Sequence, residues 1–296
     1  MSFRSRLILA SALGSALLAA ESGADQQGQA PLLLKGLNES IPPKVLIAAH
    51  RGGYESDLED QATENSVANI EVSHRKGFQI YETDIQKTQD GHFVIVHDPT
   101  IERETNRSGK ISEMTLNQVK ELRKRYRKGA ISEDSIATLE EFLIAGKDLT
   151  VFKADLKPGV SDYFGEIMDL VTKHRARDGI IFRVPYYEAK RYETFLEEGG
   201  SLEKHTLMFK VNTKNQIDHI KESFDSTTIE IKLSKADPVK QASLDLITYA
   251  RAKGFIVETH AEGDAADWRT LIGAGVRIFH TSSPSKMQAL LNSTDE

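Results

Sequence analysis

The chain has 296 residues, of which 39% are hydrophobic and 28% charged, a composition typical of a folded globular protein and not of a disordered, collagen-like or multi-pass membrane chain. Its 44 acidic residues outnumber its 38 basic residues, and the net charge of −6 argues against a general nucleic-acid binder, which needs a basic surface. The absence of cysteine excludes disulfides, zinc–thiolate sites and a thiol nucleophile.

The N-terminal residues 1–24 have the pattern of a cleaved export signal. Two arginines precede Leu7–Ala20, an uncharged run of 14 residues rich in Leu and Ala, and small residues follow. A helix of that length rises about 21 Å, short of the roughly 30 Å hydrocarbon core, so we expect no stable membrane anchor. The pattern predicts an exported protein, periplasmic or secreted, with a surface lead-in over residues 25–43 and one domain over residues 44–296.

From residue 44 onward, short apolar runs alternate with amphipathic stretches. The runs rich in Val, Ile, Phe or Thr that predict strands are Val45–His50, Gln79–Ile85, Phe93–His97, Leu149–Leu156, Gly179–Val184, Thr206–Val211, Thr227–Leu233, Phe255–His260 and Val276–Thr281. The stretches that predict helices are Ser66–Lys76, Thr115–Arg125, Thr138–Ala145, Ser161–His174, Tyr186–Glu198, Thr213–Ser223, Pro238–Lys253, Ala265–Ala274 and Pro284–Leu291.

This strand–helix alternation predicts parallel strands joined by right-handed crossovers. The connection over residues 86–92 is too short for a crossover and contains Asp90-Gly91, a tight-turn dipeptide, so its two flanking strands should form a local hairpin. Setting one hairpin arm aside leaves eight strands. The sequence therefore favours an α/β fold, a (β/α)8 TIM barrel with a small hairpin excursion near residues 79–110, over an open doubly wound sheet.

Polar side chains collect where the predicted strands end. In a (β/α)8 barrel, the carboxyl ends of the strands meet at one face, and functional groups lie there. The residues at these ends are His50, Arg51, Glu82, Asp84, His97, Asp155 and Lys157.

Glu82 and Asp84 are two positions apart on a strand, so both carboxylates point to one face. Two buried carboxylates repel each other and are costly to desolvate unless a cation lies between them, and Asp155 can supply a third oxygen ligand. Hard oxygen ligands favour a divalent metal, Mg²⁺ or Ca²⁺, over zinc. The alternative is a set of rim carboxylates neutralised by lysines.

The same strand ends carry cations and two imidazoles. Arg51 and Lys157 beside a metal suit a small-molecule phosphodiester, whose oxygens bridge a metal and a guanidinium. His50 and His97 could divide proton transfer, one assisting the nucleophile and the other protonating the leaving alkoxide. Either histidine alone is more often structural, and the pair beside carboxylates favours catalysis.

Seven short motifs identify a family that this chain resembles. They are His50-Arg51-Gly52, Glu64-Asn65-Ser66, Glu82-x-Asp84, Thr88-x-Asp90-Gly91, Val94–His97 followed by Asp98, Arg103-x-Thr105 leading to Gly109, and Thr138–Leu143. In this order and spacing they resemble the glycerophosphodiester phosphodiesterase family, densely over residues 47–157 and thinly afterwards.

The resemblance implies a (β/α)8 barrel, a divalent metal and hydrolysis of glycerophosphodiesters to an alcohol and glycerol 3-phosphate. It places the acid–base pair on His50 and His97, and the metal on Glu82 and Asp84, with Asp155 where the family usually has Glu. For substrate binding it implies Arg51 as the phosphate contact and Asn65 as a polar contact, with Glu64 supporting the rim or binding the metal. Lys157 is a substrate-binding candidate from its position at a strand end.

Departures from the family pattern leave two alternatives open. An aspartate at the place of Asp155 resembles the related sphingomyelinase D branch. This favours, as one alternative, phospholipase D-like or lysophospholipase activity on lipid headgroups. Glu258 and Ser282 stand where the family often has Trp and Asp, which affects recognition of the alcohol and the glycerol. The alternative of a different class is a non-catalytic exported binding barrel. The sequence carries no indication of oligomeric state.

Two late histidines and one basic run are further polar features of the sequence. His260 and His280 end late strands and could contact the substrate. The basic run over residues 123–128 is expected to be a solvated helix end, where cations lie at the negative pole of the helix dipole.

Overall fold

Parallel strands surround a closed interior in the computed structural model, which describes residues 29–39, 44–234, 237–262 and 264–293. The strands within these ranges are β1 (Leu46–Ala49), β2 (Ile80–Lys87), β3 (Phe93–Ile95), β4 (Val151–Leu156), β5 (Ile180–Pro185), β6 (Leu207–Val211), β7 (Thr228–Ile231), β8 (Ile256–His260) and β9 (Val276–Thr281). The order β1-β9-β8-β7-β6-β5-β4-β2 returns to β1 through a β1–β2 pairing, so eight parallel strands close the barrel. The predicted (β/α)8 fold is confirmed.

The β2–β3 hairpin is the predicted excursion from this order. β3 runs antiparallel to the outer end of β2, with Ile85 opposite Ile95, and pairs with no other strand of the described barrel. Gly91 turns the chain with a φ of +93°, a conformation that suits glycine because it has no Cβ. The hairpin thereby carries residues 96–98 back to the end of β2.

Helices cover the outside of the barrel between successive strands. Their bounds are α1 (Gln29–Glu39), α2 (Asp57–Asp60), α3 (Val67–Arg75), α4 (Leu116–Lys120), α5 (Leu139–Gly146), α6 (Phe164–Lys173), α7 (Ala189–Glu197), α8 (Lys214–Phe224), α9 (Gln241–Ala252), α10 (Ala265–Ala274) and α11 (Pro284–Asn292). Thr115 and Thr138 begin α4 and α5 with capping boxes, in which the threonine side chain accepts a backbone N–H of the first turn. Across the described residues, none of the helices has the length and apolarity needed to cross a bilayer.

The amino-terminal end of the barrel is closed by α1. Leu34 and Leu37 are fully or almost fully buried against the first residues of several strands, among them Leu46 and Ile80. The sequence predicted a surface lead-in here. The described part of that segment is instead a helix whose leucines cover an otherwise exposed apolar barrel end. The predicted export signal lies outside the described residues.

We expect Leu37→Ala to lower the free energy of unfolding by about 2–5 kcal/mol, because it leaves a cavity between α1 and the barrel end. Leu32→Ala on the same helix is the matched control, since Leu32 is 52% exposed and its truncation should change stability by about 0.5 kcal/mol or less. Denaturant unfolding measures both. Equal stability of the two variants would show that α1 does not contribute to the core.

Candidate active site

The carboxylates of β2 and β4 face the interior at the carboxyl end of the barrel. Glu82 and Asp84 are almost completely buried, and the β2–β4 register places Asp84 directly beside Asp155. Burial, reinforced by the charge of Asp84, raises the pKa of Glu82 well above its usual range. The predicted acidic face is therefore present at this end of the barrel.

Lys157 lies between two of these carboxylates. Its ammonium Nζ is 2.5 Å from Asp84 Oδ1 and 3.0 Å from Asp155 Oδ2. Burial opposes ionisation of both Lys157 and Asp155, but the charges of Asp84 and Asp155 raise the pKa of Lys157, and the charges of Lys157 and Arg183 lower the pKa of Asp155. The alternative in which lysine neutralises the carboxylates therefore describes Asp84 and Asp155. Glu82 instead accepts a hydrogen bond from the backbone N–H of Arg51, at 2.9 Å.

Arg51 follows β1 in a strained backbone conformation, with φ 51° and ψ 34°. Its guanidinium donates to Glu64 Oε1 at 2.9 Å, and Nε lies 3.7 Å from Asp84 Oδ2. Asn65 is buried beside it, accepts a hydrogen bond from Thr83 and donates to Asp84 Oδ2 at 2.9 Å. Arg51 and Asn65 therefore orient the acidic face. Their predicted contacts with substrate stay predictions.

Glu64 gathers three arginines at the rim. Its carboxylate contacts Arg51 at 2.9 Å, Arg103 at 2.7 Å and Arg127 at 3.1 Å. Burial alone would raise the pKa of Glu64, but these guanidinium groups lower it overall. The result is an ionised carboxylate with three guanidinium groups around it, beside the acidic face.

His50 begins the turn that follows β1. Its Nδ1 lies 2.7 Å from Ser282 Oγ and 3.2 Å from the Tyr54 hydroxyl. Burial, followed by the charge of Arg51, lowers the pKa of His50 to about 2. His50 is therefore a neutral imidazole in the free protein, held by hydroxyl groups on one ring nitrogen.

His97 leaves the hairpin at the same rim and is held by acidic neighbours. Its Nδ1 is 2.5 Å from Asp98 Oδ1, and its backbone N–H donates to the buried Glu104 at 3.1 Å. Burial would raise the pKa of Asp98, but hydrogen bonds from Arg103 and His97 lower it to about 2. Arg103 contacts both Asp98 and Glu64, and Glu64 contacts Arg51, so His97 and His50 lie at the same end of the barrel.

A match to a protein-family model identifies the family to which this chain is similar. The model of the glycerophosphoryl diester phosphodiesterase family matches residues 50–286, which include His50 and the carboxyl ends of β2 to β9. The chain belongs to this family. Metal dependence and histidine catalysis are general features of the glycerophosphoryl diester phosphodiesterases.

Individual members of the family are similar to this chain in sequence or in fold. A glycerophosphodiester phosphodiesterase of Caldanaerobacter subterraneus subsp. tengcongensis is 34% identical over 125 residues, which are 41% of this chain and about half, 49%, of the relative. One of Bacillus subtilis is 24% identical over 81% of this chain and 74% of the relative. A glycerophosphoryl diester phosphodiesterase structure from Parabacteroides distasonis superposes with a TM-score of 0.73, at 20% identity, over 89% of this chain and 92% of that one.

The residues present fit the divalent metal that the family uses. Glu82, Asp84 and Asp155 offer hard oxygen ligands on one face, and the Lys157 ammonium already occupies a cation position between two of them. Their oxygens do not all lie within 4.8 Å of one another, in contrast to two histidine-containing groups at the same rim. Separate cations of the protein hold these carboxylates, since Lys157 contacts Asp84 and Asp155 while Arg183 also contacts Asp155.

A second ring of charge below the rim was missed by sequence reasoning. Lys153 forms an ion pair with Glu258 inside the barrel, and both are completely buried. Arg183 forms two hydrogen bonds to Glu230 and reaches Asp155 Oδ1 at 3.2 Å. The signal in the sequence is a charged residue inside a mostly apolar strand, which does not identify its partner across the barrel.

The predicted solvated helix end over residues 123–128 is wrong. α4 ends at Lys120, and the chain then forms β-bridges that join Lys124 to Thr105 and Arg125 to Ile131. Lys124 is completely buried, 3.5 Å from the buried Glu104. The buried Glu104 accepts the backbone N–H of His97 and requires a buried counter-charge. The extended segment places Lys124 beside Glu104 and so provides that charge.

Gly52 sets the position of His50 and Arg51, and we expect Gly52→Ala to cost about 3 kcal/mol or more of stability and to reduce activity. Its φ is +84°, and an added Cβ would lie 2.1 Å from the Tyr81 ring. Thermal unfolding and a diesterase assay measure the two effects. Gly129→Ala is the control, because Gly129 also has a positive φ but has open space around it. Equal behaviour of the two variants would show that the Tyr81 contact is unimportant.

Proposed function

We propose that this protein hydrolyses glycerophosphodiesters to an alcohol and glycerol 3-phosphate. The observation that carries the proposal is that His50 and His97 follow strands at the same end of the barrel as the acidic face and the guanidinium cluster around Glu64. A phosphodiester needs a cationic environment for its oxygens and proton donors and acceptors for the two alcohols it joins. This mouth supplies both. A structure similar in fold, from Oleispira antarctica, is described as a phosphodiesterase in complex with the product sn-glycerol-3-phosphate, with 19% identity and a TM-score of 0.65 over 83% of this chain and 96% of that one.

Glu82, Asp84 and Asp155 are proposed to hold a divalent metal, Mg²⁺ or Ca²⁺ given their oxygen ligands. When bound, such an ion neutralises charge on the phosphoryl oxygens as the leaving group departs. Asn65 fixes Asp84 for this role through its hydrogen bond at 2.9 Å. Arg51 and Lys157, which contact the same carboxylates, are proposed to bind the remaining phosphate charge.

The two histidines are proposed to have different roles. His50 is neutral in the free protein and can accept a proton from the attacking water. The negative charge of a bound phosphodiester opposes that of Arg51 and makes His50 a stronger base when substrate is present. His97, fixed by the ionised Asp98 on one side, is proposed to donate a proton to the leaving alcohol.

A groove of about 620 Å³ beside His97 offers room for the leaving alcohol. Its lining includes His97, Lys157, Val160 and Tyr163. The Lys87 ammonium lies 3.6 Å from the centre of the Tyr163 ring. One wall is thus apolar and aromatic with a cation nearby, so the groove accepts a polar headgroup on one side and hydrocarbon on the other.

A panel of diesters tests this function. Purified protein is incubated with glycerophosphocholine, glycerophosphoethanolamine, glycerophosphoinositol, diglycerol phosphate and lysolipids, each with Mg²⁺ and with Ca²⁺. Release of glycerol 3-phosphate supports the proposal. No turnover of any diester, with ligand binding seen by calorimetry, would replace it with a binding function.

A second reaction is favoured by Asp155, which stands in place of the longer glutamate usual in the family. This is a phospholipase D-like reaction on lipid headgroups in which the substrate's own hydroxyl attacks the phosphorus. The same panel separates the two, because this route yields a cyclic phosphate and the first yields glycerol 3-phosphate. Phosphorus NMR distinguishes these products.

Export of the protein is proposed on the sequence of residues 1–24 alone. The uncharged run Leu7–Ala20 supports a cleaved signal, and the lack of cysteine allows folding without oxidation. N-terminal sequencing of the protein recovered from cell fractions tests this proposal. An intact Met1 on protein found only in the cytoplasm would contradict it.

A further inference from the structure

Three histidines meet at the barrel mouth, although they come from three different strand ends. His50 follows β1, His260 ends β8, and His280 lies near the end of β9. Their ring centres are 4.9 Å apart for His50 and His280, 5.6 Å for His50 and His260, and 4.2 Å for His260 and His280. One ligand nitrogen of each lies within 4.8 Å of those of the other two.

His280 is the member of this cluster that lacks a partner. It is 97% buried, and neither of its ring nitrogens makes a hydrogen bond within the described part of the chain. Glu82 Oε2 is the nearest acidic atom, at 3.4 Å from His280 Nε2. Burying an imidazole without a hydrogen bond costs free energy, so a further partner for His280 is missing from the protein alone.

The other two histidines are already oriented as metal ligands are. His50 Nδ1 is held by Ser282 and Tyr54, and His260 Nε2 contacts Glu262 Oε1 at 3.1 Å. The same Glu262 oxygen accepts the backbone N–H of Ser282 at 2.9 Å, which links the two supports. Metal-binding histidines commonly donate their second ring N–H to a carboxylate or a similar acceptor, which fixes ring and tautomer.

We propose that His50, His260 and His280 bind a transition-metal cation of the Zn²⁺ class, and that this binding inhibits the diesterase. Three imidazoles suit Zn²⁺, whereas the three carboxylates nearby suit Mg²⁺ or Ca²⁺, so the mouth holds two cation sites of different chemistry. A tetrahedral site with Zn–N bonds of about 2.0–2.1 Å places its ligands about 3.4 Å apart, so binding draws the rings together. His260 is exposed beside a second groove, which gives the ion a path from solvent.

The inhibition rests on the proposed function, because it follows only if His50 transfers a proton in catalysis. A cation on His50 occupies the lone pair that would accept that proton. The metal-binding part stands without that assumption. The experiment is therefore divided into a binding measurement and an activity measurement.

Co²⁺ is the spectroscopic probe for the site, added to the full chain after its own metals are removed and excess Mg²⁺ is supplied. We expect one equivalent to give the visible bands of tetrahedral Co²⁺, and one equivalent of Zn²⁺ to abolish them. His260→Ala should weaken Co²⁺ binding at least 10-fold, and Glu262→Gln roughly 10–100-fold, as expected for loss of a supporting carboxylate. His92→Ala, at an exposed histidine on the hairpin, is the control and should bind as the unchanged protein does.

Asp155→Asn separates this site from the carboxylates, and it should leave Co²⁺ binding unchanged. Loss of the bands in Asp155→Asn, or wild-type Co²⁺ affinity in His260→Ala, would overturn the site.

In the activity assay, Zn²⁺ should inhibit the Mg²⁺-loaded protein, and inhibition of His260→Ala should need at least a 10-fold higher Zn²⁺ concentration. Binding without inhibition would overturn the inhibitory role alone, and absence of all turnover would count against the proposed function while the Co²⁺ titration still decides the site.

Discussion

His97→Ala and His50→Ala are each expected to lower kcat by roughly 100-fold or more, since a positioned acid or base contributes about that much. His97 is fixed by Asp98 at 2.5 Å and His50 by Ser282 at 2.7 Å, so each imidazole is held for proton transfer. Steady-state kinetics on the best diester of the panel measure the effect. Both variants should keep KM within a few-fold, because neither histidine is proposed to supply most of the phosphate binding.

His92→Ala is again the control, since it removes an exposed imidazole from the hairpin that carries His97. Thermal unfolding of each variant confirms that the barrel is intact. Near-wild-type turnover in either His50→Ala or His97→Ala would remove that residue from the acid–base pair.

Removal of divalent cations is expected to abolish turnover, and Mg²⁺ or Ca²⁺ to restore it. The physical reason is that Glu82 and Asp84 are buried together, and burial with mutual repulsion raises the pKa of Glu82 when no ion compensates. Chelation followed by a titration of each ion, with activity as the readout, measures the requirement. Full activity after exhaustive chelation would contradict the metal site.

Glu82→Gln keeps the shape of the side chain and removes one charge from the acidic face. We expect it to weaken activation by the metal at least 10-fold and to leave little activity at low metal. The matched variant is Glu59→Gln, at an exposed carboxylate outside the barrel mouth, which should retain the wild-type metal requirement. Identical titrations for the two variants would show that Glu82 is not a ligand.

Local sequence patterns were sufficient to predict the barrel and the polar residues at the carboxyl ends of its strands. Alternation of apolar runs with amphipathic stretches predicted eight parallel strands, and Asp90-Gly91 predicted the hairpin. Because the carboxyl ends of parallel strands meet at one face, the same reading brought His50, Glu82 and Asp155 together. These inferences depend only on neighbours in sequence and on the topology that follows from them.

Contacts between segments that are distant in sequence could not be predicted from local patterns. Lys124 was assigned to a solvated basic run because nothing near it in sequence shows that Glu104 is buried behind His97. Similarly, Leu34 and Leu37 of the lead-in gave no sign of the apolar barrel end that they cover. Each case depends on a contact between distant segments, and burial decides the cost of leaving either partner alone.

A crystal structure of the protein soaked with Mn²⁺ and glycerol 3-phosphate is the most direct measurement of what the barrel mouth does. We predict an anomalous peak within bonding distance of Glu82, Asp84 and Asp155, with the phosphate between that ion and Arg51 and with both His50 and His97 reaching its oxygens. An ion bound elsewhere, or a phosphate that lies out of reach of the two histidines, would contradict the proposed active site.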